Sequence, residues 1–134
     1  MNDLRIKCRT HPDSEMLRIC EALGTLRMPA MPEEYDIHDQ IAAALMAHSL
    51  NYEHEYRLAP RCRIDFRVGR VGIEVKKGRP STRELTRQLR RYLTSEALDA
   101  AVVVMQWSVP LPETIEGKPV CVFSLNRLWG VALP

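Results

Sequence analysis

Residues 61–78 read RCRIDFRVGRVGIEVKKG, which is the most informative segment of the chain. Apolar and polar residues alternate on both sides of Gly69 and Arg70, which is the pattern of two half-buried strands. A two-residue loop with glycine in its first position suits a type II′ turn. The stretch therefore predicts a β-hairpin with strands at 61–68 and 71–76.

The length of this loop sets which residues face each other across the hairpin. Residue numbers that sum to 139 are opposed, so Asp65 is predicted to face Glu74. Arg63 falls opposite Lys76 in the same register. Because side chains alternate between the faces of a strand, these four polar side chains are predicted to share one face. The other, apolar face is predicted to carry Cys62, Ile64, Phe66, Val68, Val71, Ile73 and Val75.

The opposed carboxylates indicate a cation site. Directly opposed residues have Cβ atoms about 4.5–5.5 Å apart, so two carboxylates there repel each other unless a cation lies between them. Mg²⁺ takes oxygen ligands and commonly uses one or two carboxylates. Asp65 and Glu74 are therefore candidate ligands, and the main-chain carbonyl of Val75 can supply a further oxygen. The ammonium of Lys76 can orient a metal-bound water or stabilise a charged transition state.

Positive charge is concentrated around the hairpin and the segment that follows it. Residues 57–92 hold twelve Arg or Lys against three acidic residues, whereas the rest of the chain holds seven basic and fourteen acidic residues. Such a block is expected of a protein that binds a phosphate backbone. Both the basic block and the carboxylate pair have an alternative interpretation, which is a solvated surface whose charges offset each other. The predicted nucleic-acid contacts are Arg63, Arg67, Lys77, Arg83, Arg87, Arg90 and Arg91.

The elements around the hairpin predict an α/β fold. Helices are expected at 14–26, at 32–50, and after the capping box Ser81-Thr82-Arg83-Glu84. Strands are expected at 53–58, 100–105 and 120–125. The run at 100–105 is continuously apolar, as in a strand buried on both faces, so the third helix should cross over to a parallel central strand.

Two helices carry polar pairs spaced four residues apart, which places each pair on one helix face. Gln88 and Tyr92 border the buried stripe of the third helix; the alternative is an ordinary helix border. Glu34 and His38 lie on the second helix, where the histidine can ligate a metal or remain a surface residue.

Length and composition restrict the class of protein. The 134 residues suit one domain, and no apolar run is long enough for a membrane span. The N-terminus has no secretory h-region, which predicts a cytoplasmic, intracellular protein. Four cysteines without a C-x-x-C pair predict reduced, packed thiols and no structural zinc site.

Together these residues resemble the PD-(D/E)xK nuclease superfamily. The matching motif is Ile64-Asp65, eight residues, then Glu74-Val75-Lys76. The segment Gln88-Leu89-Arg90-Arg91-Tyr92 is similar to the Q-x-x-x-Y element of the RecB-type branch. Residues 33–45, EEYDIHDQIAAAL, are similar to the first core helix. Ile64 stands where the family name has proline, a departure that the family tolerates widely.

The resemblance covers about residues 33–125 and implies a restriction-endonuclease-like αβββαβ core. This core would be a central mixed sheet flanked by helices, with an extra N-terminal helix, in a single domain over residues 1–134. The resemblance also implies a nuclease that hydrolyses phosphodiester bonds in DNA with Mg²⁺ or Mn²⁺ and a metal-activated water. Small stand-alone members often belong to phages or mobile elements.

Site roles follow from the same resemblance. Asp65 and Glu74 become metal ligands, Lys76 the catalytic lysine, and Gln88 and Tyr92 groups that orient the site or the substrate. Three acids compete for the position on the first core helix: Glu33, Glu34 and Glu55. The favoured acid is Glu34, together with His38.

Several alternatives remain open from sequence alone. One is a non-catalytic nucleic-acid-binding module on the same fold, and another is an assembly subunit whose basic face binds a protein. The sequence does not distinguish duplex, single-stranded or branched DNA from RNA. Cutting both strands of a duplex with one such site per chain would favour a homodimer.

Overall fold

The computed structural model describes residues 6–7, 14–27 and 33–125, which form an α/β arrangement of helices around a mixed sheet. The helices are α1 (Ser14–Leu23), α2 (Glu34–Ala47) and α3 (Thr82–Leu93). The strands are β1 (Ile6–Lys7), β2 (Glu53–Ala59), β3 (Cys62–Val68), β4 (Val71–Lys76), β5 (Ala100–Met105), β6 (Thr114–Ile115) and β7 (Lys118–Ser124). None of these helices is long and apolar enough to cross a membrane.

Six strands form the main sheet in the order β1-β7-β5-β4-β3-β2, and the short β6 pairs with β7. The β4–β5 and β5–β7 pairs are parallel, and the other pairs are antiparallel. Helix α3 connects β4 to β5, so the predicted crossover to a parallel central strand is confirmed. The α/β class with a mixed sheet is confirmed with it.

Element bounds agree best with the predictions near the hairpin. β4 and β5 occupy the predicted residues, whereas α1 ends at Leu23 and not Leu26, and β7 begins at Lys118. The predicted helix start at Pro32 lies outside the described residues, and α2 begins at Glu34. The strands β1 and β6 were not predicted, because two-residue strands carry no periodic pattern.

The hairpin turn is as predicted. Val68 pairs with Val71 across Gly69 and Arg70. Gly69 has φ +58, whereas Arg70 is not among the positive-φ residues, which is the type II′ combination. Ser81 also caps α3 as predicted, because its side chain accepts a hydrogen bond from the Glu84 N–H at 3.3 Å.

The sheet has a separate core on each side. Helices α1 and α2 cover one side, where the packed strand residues include Phe66, Val68, Ile73 and Val104. Helix α3 covers the other side, where they include Cys62, Ile64, Ala101 and Val103. The site described below therefore has one helical layer on each side.

The predicted single apolar face of β3 is wrong, because β3 changes faces at Asp65. Ile64 packs on the α3 side, whereas Phe66, two residues later, packs on the α2 side. The neighbouring strand changes with it: His54 stacks on Phe66, whereas Tyr56 packs on the α3 side. Between them Glu55 has φ +54, a left-handed conformation that interrupts the two-residue alternation.

The β3–β4 ladder is consequently shorter than predicted. It contains Phe66 with Ile73 and Val68 with Val71, in the predicted register, but it ends there. The backbone pair of Asp65 with Glu74 is not part of it, and neither is Arg63 with Lys76. Beyond Phe66 the two strands are connected through side chains.

The expectation of four reduced thiols is wrong at one position. Cys20 and Cys62 are buried, reduced thiols, as predicted. Cys121, within β7, is disulfide-bonded. Sequence spacing does not reveal this bond, because it depends on which distant segments the fold brings together.

The face switch of β3 predicts a specific packing conflict at Gly72. A Cβ at this position would lie 2.4 Å from Ile64 Cδ1 and 2.9 Å from Leu98 Cδ1. We expect Gly72→Ala to lower the free energy of unfolding by about 1–3 kcal/mol, because it overpacks a buried site. Ile64→Val removes Cδ1 itself. The double variant should therefore lose clearly less free energy of unfolding than the two single variants lose together.

Urea unfolding of the parent, both single variants and the double variant would measure this coupling. Gly117→Ala is the control, because that glycine has φ +72 and a Cβ added there would meet nothing within 4 Å. The loss of stability in Gly117→Ala comes from the backbone conformation alone, so Ile64→Val should not reduce that loss. Strictly additive losses at Gly72 and Ile64 would contradict the placement of Ile64 on the α3 side.

Candidate active site

The site lies where β3 and β4 separate, close to the carboxyl end of β4. Two reciprocal contacts replace the missing backbone pair there. The Asp65 N–H donates to Glu74 Oε1 at 3.3 Å, and the Val75 N–H donates to Asp65 Oδ2 at 2.7 Å. The carboxylates predicted as neighbours are therefore brought together, each held by the backbone of the other strand.

Glu74 is the buried centre of the site, with only 4% of its surface exposed. The hydroxyl of Tyr92 on α3 donates to Glu74 Oε2 at 3.0 Å. Lys76 Nζ lies 3.3 Å from the same oxygen. Gln88 Nε2 donates to Tyr92 Oη at 2.8 Å, so the predicted Gln88–Tyr92 face is confirmed and leads into the site.

The pKa of Glu74 is raised from its ordinary value of 4.5 to about 7, first by burial and then by the negative charge of Asp65. Lys76 and the Tyr92 hydroxyl oppose this rise. The pKa of Tyr92 is also raised, first by burial and then by the charge of Glu74. Tyr92 therefore serves as a hydrogen-bond donor at neutral pH.

A histidine pair borders Asp65 on the α2 side. His38 Nε2 lies 3.9 Å from Asp65 Oδ2, too far for a hydrogen bond. His38 Nδ1 and His54 Nε2 share a hydrogen bond at 3.0 Å, and the His54 ring stacks on Phe66 at 4.7 Å between centroids. His54 was missed by the sequence analysis, since only the left-handed Glu55 brings it to this side of β2.

The three competing acids are all engaged elsewhere or exposed. Glu34 is exposed and makes no described contact with either carboxylate. Glu33 Oε2 accepts from Lys77 Nζ at 3.1 Å, and Glu55 Oε1 lies 3.5 Å from Arg63. Within the described residues, α2 therefore contributes His38 to the site and no acid.

The seven predicted nucleic-acid contacts divide into two groups. Arg63, Arg67 and Lys77 form ion pairs with acidic residues of the chain. The guanidinium of Arg67 also lies over the Tyr56 ring at 4.5 Å. The remaining four lie exposed along α3 without a described carboxylate partner: Arg83, Arg87, Arg90 and Arg91. Of these, Arg91 donates a hydrogen bond to the backbone carbonyl of Arg61.

The donor set fits a hard cation with few protein ligands. Two carboxylates lie side by side, one of them buried with a raised pKa that a bound cation would lower. Among the described residues no three His, Cys, Asp or Glu side chains form a group that could hold a metal alone. An ion bound here would therefore keep several waters, as Mg²⁺ commonly does. Val75 contacts the site through its N–H, and ligation of a metal by its carbonyl oxygen stays a prediction.

The raised pKa of Glu74 predicts a dependence of stability on pH. The folded chain holds this proton up to about pH 7, whereas an unfolded chain releases it near pH 4.5. Folding therefore takes up a proton between these values, so the free energy of unfolding should fall as pH rises through this window. The slope is at most about 1.4 kcal/mol per pH unit.

Urea unfolding in EDTA from pH 4 to pH 8 would measure this slope. Glu74→Gln cannot titrate, so the difference between parent and variant isolates the contribution of Glu74. Parallel pH profiles for the two proteins would contradict the raised pKa.

Comparison of the chain with protein-family models, with curated proteins and with solved structures finds no match.

Proposed function

We propose that this chain is a metal-dependent DNA nuclease of the PD-(D/E)xK type. The observation that carries the proposal is the environment of Glu74. A buried carboxylate meets Asp65 from β3, Lys76 from β4 and Tyr92 from α3 at one point. Those are the residues of the motif and of the Q-x-x-x-Y element.

The order of elements supports the same family. From α2 to β5 the chain forms a helix, three antiparallel strands, a helix and a parallel strand. This order is the one expected of an αβββαβ core of the restriction-endonuclease-like type, which supports the proposal. The carboxylates lie on adjacent strands at the opening between β3 and β4, where a substrate phosphate can approach.

Each residue has a distinct task in the proposed reaction. Asp65 and Glu74 would hold Mg²⁺ or Mn²⁺, which supplies the activation of the attacking water. Tyr92 fixes the Glu74 carboxylate by donating to Oε2, and Gln88 in turn fixes the Tyr92 hydroxyl. Lys76 is 28% exposed, so its ammonium can reach a phosphate oxygen while remaining near Glu74.

DNA would be attracted by the exposed arginines of α3. Arg83, Arg87 and Arg90 have no described acidic partner, so their charges are available to phosphates. They lie on the same helix as Gln88 and Tyr92, which connects the proposed binding surface to the proposed catalytic site.

A non-catalytic binding module is the second candidate, and one observation favours it. Both oxygens of Glu74 already have partners within the chain, so the polar network is complete without a cation. A buried network of this kind can stabilise a fold by itself. The two candidates differ in whether Lys76 accelerates hydrolysis.

Lys76→Ala is the variant that separates the two candidates. An ammonium donates but does not ligate a metal, so DNA binding and the metal-induced rise in melting temperature should remain. Cleavage should fall about 10²-fold or more, the scale expected for a lost transition-state stabiliser. Lys76→Arg should not restore the full rate, because a guanidinium differs in shape and hydration.

Cleavage of labelled DNA with Mn²⁺ should be measured at pH 8 or above. Lys76 lowers the pKa of Glu74, so high pH keeps Glu74 ionised in the variant. Arg18→Ala, on α1, controls for the loss of one positive charge, and Asp65→Asn should lose both cleavage and the metal-induced thermal shift. Unchanged cleavage in Lys76→Ala would contradict a hydrolytic site here, and a parent that binds DNA and metal without cleaving would favour the binding module.

The arginines of α3 predict a steep salt dependence of DNA affinity. Replacing Arg83, Arg87 and Arg90 by alanine should weaken binding to all sequences alike. The slope of log K against log salt should flatten by about 0.9 for each arginine that neutralises a phosphate. Replacing Arg18 and Arg27, which lie outside the basic block, is a control for the general loss of positive charge. A slope that stays the same in the triple variant would show that the α3 surface is only solvated.

A further inference from the structure

The residues that follow β4 form hydrogen bonds on two sides. Toward α2, Lys77 Nζ bonds to Oε2 of Glu33, the residue that precedes the helix, at 3.1 Å. Toward β5, the Gly78 N–H donates to Gln106 Oε1 at 2.7 Å. The Trp107 N–H donates to the Gly78 carbonyl at 3.1 Å. The start of α2 and the end of β5 therefore flank the strand that carries Glu74 and Lys76.

An exposed aromatic residue lies close in sequence to each of these two contacts. Among the described residues, four large hydrophobic side chains are exposed, and two of them are aromatic: Leu17, Tyr35, Met46 and Trp107. Tyr35 is 67% exposed and comes two residues after Glu33, whereas Trp107 is 48% exposed and is itself hydrogen-bonded to Gly78. Trp107 is thus joined directly to the residues that follow β4, and Tyr35 lies on the first turn of the helix whose preceding residue, Glu33, contacts them.

Positive charge accompanies this aromatic pair. Lys76, Lys77 and Arg79 lie within four consecutive residues. The two lysines are ion-paired with Glu74 and Glu33, whereas Arg79 is exposed without a described partner. Exposed rings beside cations are the combination by which proteins bind single-stranded nucleic acid, because the rings stack on bases while the cations neutralise phosphates. In a continuous duplex the base faces are already stacked on each other and are not offered to a ring.

We propose that Tyr35 and Trp107 are base-stacking platforms on either side of the β4 end. The substrate class is then DNA with unpaired nucleotides at the scissile position, such as a single strand, and not a continuous duplex. The reaction in this statement rests on the proposed function, whereas the preference for unpaired bases rests on the two aromatic residues and the adjacent cations.

Binding without cleavage tests the inference directly. Labelled single-stranded DNA, a blunt hairpin duplex with the same number of phosphates, and an abasic strand of the same length would be titrated in EDTA. The parent should prefer the single strand with bases. Tyr35→Ala and Trp107→Ala should each weaken that binding by about 5- to 100-fold, as expected for a lost stacking contact. Duplex and abasic binding should change less than about twofold, because phosphate contacts are retained.

Matched variants exclude a general effect of removing an exposed apolar group. Met46→Ala alters an exposed residue at the opposite end of α2, and Leu17→Ala alters one on α1. Both should bind like the parent. Tyr35→Phe and Trp107→Phe keep an aromatic face and should recover most of the affinity, which a merely structural role would not produce.

Tryptophan fluorescence gives an independent readout. The chain has two tryptophans, so Trp129→Phe leaves Trp107 as the only one. Adding a single strand should quench its emission, and the abasic strand should not. Single-strand binding that is unchanged in both alanine variants would overturn the inference.

The outcome also separates this inference from the nuclease proposal. Aromatic-dependent binding of unpaired DNA by a parent that never cleaves would overturn the nuclease proposal and support the stacking platforms. Cleavage of continuous duplex DNA at a rate that neither alanine substitution changes would support the nuclease proposal and overturn the stacking platforms.

Discussion

Burial of the Glu74 carboxylate between the sheet and α3 governs how the surrounding elements are arranged. Glu74 is almost fully inaccessible, and an ionised carboxylate in such a place is costly unless partners surround it. Its partners come from three elements: the Asp65 N–H on β3, Lys76 on β4 and Tyr92 on α3. The position of α3 brings the Tyr92 hydroxyl to Glu74, and the separation of β3 from β4 leaves the Asp65 N–H available to it.

The face switch at Glu55 and Asp65 connects the fold to the site. A regular ladder would use the Asp65 N–H for a backbone partner, whereas here it serves the Glu74 carboxylate. The switch also brings His54 onto Phe66 and beside His38, next to Asp65. A non-glycine residue with positive φ costs of order 1–3 kcal/mol, and such conformations concentrate where function requires an irregular backbone.

Charge is distributed so that different parts of the basic block have different roles. Around the hairpin, Arg63 and Arg67 are neutralised by acids on β2, which stabilises the edge of the sheet. On α3, Arg83, Arg87 and Arg90 face solvent and have no acidic partner among the described residues. A net charge of only +2 therefore conceals one surface with available positive charge, next to the helix that contributes Tyr92 to the site.

Local patterns in the sequence were sufficient for the hairpin turn, the register around Phe66 and Ile73, the Ser81 cap and the parallel partner of β4. Turn chemistry, capping and strand periodicity act over a few neighbouring residues, so the sequence by itself determines them. It also determined that Asp65, Glu74 and Lys76 lie together. The folded arrangement was needed to find the face switch, the approach of His54 and the pairing of Lys77 with Glu33. Each of these depends on packing between segments far apart in the chain, which no local periodicity encodes.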